Sequence, residues 1–179
     1  MRTVSFLQRR QSDQRGLSLL ESVVYVALIA LVLVSSINIM LISVRAFAVG
    51  RAEHALATEG RAAMDRIIYE VRLASATETA SSVLGTSPGT LALTTIVSPD
   101  DETAITRTIT MTSAAVMIAE GASSAVPLTA GVVPQALTFY RTAAGSSEAV
   151  RVVLRLSAGT GVAAKTATFY GMAVLRGSY

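Results

Sequence analysis

The polar and apolar positions divide the chain into stretches of different period. Residues 1–16 are polar. From Ser22 to Val44 there are 23 residues without a charge, and as a helix they rise roughly 35 Å, enough to cross a bilayer core. The helical pattern then continues. No proline occurs before Pro88, and Leu56, Gly60, Ala63, Ile67, Val71 and Ala74 form an apolar stripe at spacings of three or four. A single helix from Leu17 to about Ala76, roughly 90 Å long, is therefore predicted, with half of it outside the lipid. Arg61 with Asp65 and Arg66 with Glu70 stand four apart on its wet side. Gly50 and Gly60, each costing about 1 kcal/mol relative to alanine, are its expected soft spots.

Beyond Thr77 the period shortens to two. Runs at 90–97, 104–111, 114–120, 135–141, 148–157 and 166–176 read as strands, separated by turn-rich pieces such as "SPDDE", "EGASS" and "AAGSS". In "VRVVLRL", Arg151 and Arg155 fall on the face opposite Val152, Leu154 and Leu156, so one side is wet and the other packs. The outer half of the long helix is the cover that this apolar face needs. The expected class is α+β: a long N-terminal helix, its first half in the membrane, packed on an antiparallel β-sheet domain.

Composition agrees with a membrane-anchored chain. Of 179 residues 51% are hydrophobic and 15% charged, which lies on the membrane side of ordinary usage. The net charge of +3 comes mostly from arginines, and Arg2, Arg9, Arg10 and Arg15 precede the apolar run, so they read as a topology signal that keeps the N-terminus cytoplasmic. There is no cysteine, which rules out disulfides and thiolate metal sites. His54, the one histidine, rules out a histidine-rich metal site and reads as a solvated helix residue.

One charge resists this reading. Glu21 stands at the edge of the apolar run, where a carboxylate costs several kcal/mol unless something compensates it. A cleaved secretory signal has a shorter apolar region and a small-x-small site, and a simple signal anchor gives no reason for the pair Gly16 and Glu21.

The string "RG" followed by "LSLLE" resembles the processing site of type IV prepilins and of the pseudopilins of type II secretion. There a basic leader ends in glycine, an apolar first mature residue follows, and glutamate stands fifth. The resemblance implies cleavage between Gly16 and Leu17 by a prepilin peptidase, N-methylation of Leu17, and an assembly-register role for Glu21. Cleavage would create an amine at Leu17 with a reference pKa of about 8. Neutralising Glu21 of one subunit with that amine of the next penalises wrong registers, even where desolvation cancels the attraction. Two departures stand out: leucine occupies the first mature position where phenylalanine or methionine is commoner, and many major pilins have a proline where this chain has Asn38.

On this resemblance residues 1–16 are a cytoplasmic leader, 17–44 a transmembrane and fibre-core helix, 45–76 its outer half and 77–179 a β-rich globular domain. "EGRAAMDRIIYEVRLASA" is similar to the segment by which minor subunits of the W and J kind leave the membrane, and 128–176 resembles their last strands more loosely. The implied function is that of a minor pilin or pseudopilin that helps initiate a type IV pilus or secretion pseudopilus, single-pass in the bacterial inner membrane. Its implied partners are other pilins or pseudopilins, the prepilin peptidase, the inner-membrane assembly platform and the lipid bilayer. A major fibre subunit, and a signal-anchored envelope protein with a β-rich binding domain, are the alternatives.

Other chemistry is not signalled. Asp100, Asp101 and Glu102 are adjacent and lack the alternate-position oxygens of a calcium loop, so they read as a solvated turn. Tyr25 reads as a packing residue, and "GTGVAA" lacks the lysine of a phosphate loop. No nucleophile, base and orienter can be assembled, so the expectation is no enzyme, no cofactor and no metal. The basic residues Arg107, Arg141, Arg151, Arg155, Lys165 and Arg176 are dispersed over several elements, so nucleic acid is not an expected partner.

Overall fold

A computed structural model describes residues 19–98, 101–145 and 147–176. The chain divides into two compact units, Met1–Val44 and Arg45–Tyr179. One helix, α1, runs over Leu19–Leu73. In the first unit its residues 19–44 are all exposed. Their apolar side chains, Leu20, Val24, Leu31, Leu33 and Ile37 among them, find no protein surface to cover them. The helix is long and apolar enough to cross a membrane, with a mean hydropathy of 2.5 in its most apolar window.

The second unit is α+β. Among the described residues eight strands follow the helix: β1 (Ala76–Thr77), β2 (Leu91–Ser98), β3 (Asp101–Met111), β4 (Val116–Glu120), β5 (Val126–Pro127), β6 (Val133–Ala144), β7 (Ser147–Ala158) and β8 (Lys165–Val174). The single sheet expected from the sequence is two antiparallel sheets, ordered β1-β2-β3-β4-β5 and β6-β7-β8. The helix stops three residues short of the expected Ala76. There the Ser75 N–H donates to the Thr94 carbonyl (2.8 Å) and the Glu78 N–H to that of Ala92 (2.9 Å), so the chain has begun pairing with β2.

The stripe on the outer half of α1 is buried in full, from Leu56 through Ala74. It shares one core with both sheets, where Leu91, Leu93 and Ile109 come from the first and Leu137, Phe139, Val152 and Leu154 from the second. Each fully buried large side chain contributes about 1.5–3 kcal/mol. On β7, Val150, Val152, Leu154 and Leu156 are buried while Arg151 and Arg155 are exposed, as alternation requires.

Two details of the helix differ from expectation. Gly60 is a contact point and not a soft spot: a Cβ there would stand 2.2 Å from ring carbons of Phe169 on β8, so the missing side chain lets strand and helix meet. Glu70 is not on the wet side. It is 1% exposed, enclosed by the same packing that buries Ile67 and Val71.

Candidate functional site

Gly16 and Leu17 lie outside the described residues. Glu21 lies in the first turn of α1, where a carboxylate is favoured by the exposed N–H groups and the helix dipole. It is the one charged residue between Leu17 and Val44. Four other polar groups of this stretch bond back to the helix. Ser35, Ser36 and Ser43 hydroxyls and the Asn38 amide each donate to the carbonyl four residues before, at 2.8–3.0 Å, which lowers the cost of placing them in hydrocarbon. Tyr25, four residues after Glu21, is 53% exposed. Residues 19–44 thus present an apolar, outward-facing helix with a carboxylate near its beginning.

A second polar cluster lies in the other unit. Arg107 on β3 donates from Nη1 to Glu70 Oε2 at 2.5 Å, and its Nη2 stands 3.5 Å from Glu120 on β4. Arg66 approaches Glu70 Oε1 at 2.6 Å, an ion pair without hydrogen-bond alignment. Burial works against the charge on Arg107, but the hydrogen bond and charge of Glu70, with Glu120, outweigh it, so the guanidinium holds its proton more tightly than usual. An open hollow of about 370 Å³ adjoins the cluster, walled by Arg66, Arg107 and Glu120 and by Ile118, Val126 and Leu128. The sequence reading missed the burial of Glu70, although position 70 sits three residues after Ile67 and four before Ala74, on the edge of the stripe.

A third pair holds the β6–β7 hairpin. Arg141 Nε donates to Glu148 Oε1 at 2.6 Å. Burial alone would raise the Glu148 pKa; hydrogen bonds from Arg141 and Thr77 outweigh it and hold the carboxyl below its ordinary range.

The remaining candidates do not converge. His54 is exposed, and Lys165 stands 3.5 Å from Glu53. Asp100 lies outside the described residues, while Asp101 and Glu102, expected in a turn, are the first residues of β3 because Asp101 pairs with Ser98 in the β2–β3 ladder. Among the described residues no group of three or more acids or histidines is placed to hold a metal ion. Two of the dispersed basic residues share one surface: Arg151 lies 4.4 Å over the Tyr140 ring, with Arg155 on the same face of β7, whereas Lys165 faces α1 on the other side of the sheet.

Compared with protein-family models, with curated proteins and with solved structures, the chain matches none of them.

Proposed function

We propose that the chain is a minor pilin or pseudopilin, a structural subunit that helps initiate a type IV pilus or secretion pseudopilus. The observation that carries the reading is the placement of Glu21. It follows the basic leader and Gly16 at the prepilin spacing, and it stands in the first turn of a helix whose apolar side chains through Val44 are all exposed. An apolar helix with nothing folded against it suits lipid before assembly and a bundle of like helices afterwards. Within such a bundle Glu21 would be neutralised by the Leu17 amine of a neighbour, which favours one stagger over the others.

On this reading the prepilin peptidase cuts between Gly16 and Leu17 and methylates Leu17. The protein is anchored in the inner membrane with its N-terminus cytoplasmic and residues 77–179 outside, and it is delivered to the fibre by the assembly platform. Other pilins or pseudopilins are its partners, and it uses no cofactor. Replacing Glu21 with alanine in cells that carry the peptidase tests the role directly. Cleavage should persist while incorporation into sheared fibres or cross-linked tip complexes falls. Unchanged incorporation would refute the register role.

A further inference from the structure

The three-stranded sheet has two edges, and among the described residues only one is closed. At β6 the segment 85–89 covers the edge: the Gly85 and Gly89 N–H groups donate to the Phe139 and Leu137 carbonyls, both at 2.8 Å, and the Leu137 N–H donates to Ser87 Oγ at 3.2 Å. β8 forms the other edge. Just past its end, the Leu175 N–H donates to the Glu148 carbonyl of β7 (2.9 Å), whereas the Arg176 N–H donates away from β7, to Ala74 (3.1 Å). In an antiparallel ladder, alternate residues direct their N–H and C=O to opposite sides. Thr166, Thr168, Tyr170, Met172 and Val174 therefore turn theirs outward, and no described residue pairs with them there.

Edge strands are ordinarily blocked by an internal charge, a proline or a bulge. From Thr166 to Val174, β8 has none of these, and its register with β7 is unbroken. Alternate side chains along it are exposed, Tyr170 at 73% and Met172 at 58%.

The helix α1 accompanies this strand, with Gly60 against Phe169 and with Met64 and Ile68 beside Gly171. Two open hollows lie where the two elements leave space. One, of about 540 Å³, is walled by Arg72, Arg176, Met172, Ala173 and Val174. The other, of about 280 Å³, has Leu56, Ala57, Ala167 and Phe169 on its wall, with Arg61 and the Lys165–Glu53 pair. The exposed guanidinium groups of Arg151 and Arg155 stand on the adjoining strand. The carboxylates near this edge are Glu53, engaged with Lys165, Asp65, one turn after Arg61 on α1, and Glu148 on β7, engaged with Arg141. Six cations thus outweigh three anions. A second copy paired through β8 would set this cationic edge against itself, whereas an acidic strand would complement it.

We propose that β8 receives an extended acidic segment of a partner protein as an added antiparallel strand. One carboxylate of that segment enters the hollow between Arg72 and Arg176, opposite Ala173. An apolar side chain six residues later, about 20 Å along the strand, enters the hollow at Leu56 and Phe169, opposite Ala167. Main-chain hydrogen bonds hold the segment and the two hollows select it. The surface lies within the second unit and does not depend on processing at Gly16, so either proposal can fail without the other.

The test is a labelled nine-residue peptide, alternating threonine with apolar residues and carrying glutamate at its second position and leucine at its eighth, titrated by fluorescence anisotropy against the full chain in detergent micelles. Binding should saturate, weaken about tenfold when the peptide's glutamate becomes lysine, and weaken similarly in the Arg72→Glu, Arg176→Glu double variant. Met172→Pro removes one outward N–H at a position where an edge strand tolerates proline, and should abolish binding. Peptides N-methylated at alternate residues leave the protein untouched, and only one of the two phases should lose binding. The proposal is overturned by an absence of binding, by equal binding of both N-methylated phases, by self-association of the chain through β8, or by displacement of the peptide by oligothymidylate at equal affinity.

Discussion

Arg107 on β3 and Glu70 on α1 meet at 2.5 Å with the carboxylate side chain wholly buried, so the outer half of the helix is tied to the five-stranded sheet by charge as well as by its apolar stripe. Removing Glu70 leaves the largely buried Arg107 with only its longer contact to Glu120. Glu70→Ala should cost about 3–5 kcal/mol of stability, read as a lowered midpoint in thermal unfolding of the full chain in micelles. The double variant Glu70→Leu, Arg107→Met should recover most of that loss, because the pair's own net contribution is small. A single variant as stable as the parent would contradict the buried ion pair.

Gly60 offers the reverse of the usual helix rule. In a helix interior, alanine is ordinarily more favourable than glycine by about 1 kcal/mol, but here its methyl would overlap the Phe169 ring. Gly60→Ala should destabilise by about 1–3 kcal/mol. Adding Phe169→Ala should make the alanine at 60 neutral or favourable in that background.

Glu148 sets an acid limit on the β6–β7 hairpin. Its carboxyl is held below the ordinary range in the folded chain. Its stabilisation is therefore complete above the unfolded value, about 4.3 for glutamate, and is lost as the pH falls through the folded value. Glu148→Gln should lower stability at neutral pH and leave it nearly unchanged in strong acid, so the difference between parent and variant shrinks as the pH falls through that interval. A difference independent of pH would rule out the charged pair as its source.

Long periodic elements were legible in the sequence. The stripe Leu56 to Ala74 and the alternation about Val152, Leu154 and Leu156 correspond to buried faces, because each repeats its period several times. The two-residue strands Ala76–Thr77 and Val126–Pro127 were not, since two residues carry no period and their pairing is decided by neighbours far along the chain. The split into two sheets was hidden for the same reason: strand runs show which residues pair, not which strands stay adjacent. The segment 85–89 carries no strand period, yet Gly85, Ser87 and Gly89 close the edge of β6 through hydrogen bonds that composition does not reveal. Gly16, Leu17 and Glu21 were legible only as a motif, whereas Glu70 became visible through its burial.

Glu21 should matter to assembly more than to folding. Glu21→Ala should leave the stability of the chain within about 0.5 kcal/mol of the parent, as for other exposed positions, while co-purification with the proposed pilin partners falls sharply. Glu21→Asp, which keeps the charge, should restore part of it. A lowered midpoint that accounted for the loss would remove the register argument.

The most direct measurement is the intact mass of the membrane-extracted protein, expressed together with a prepilin peptidase. A product that begins at Leu17 and carries one added methyl group is the predicted result. A full-length product would contradict the account and leave a signal-anchored β-rich protein in which Glu21 has no assigned role.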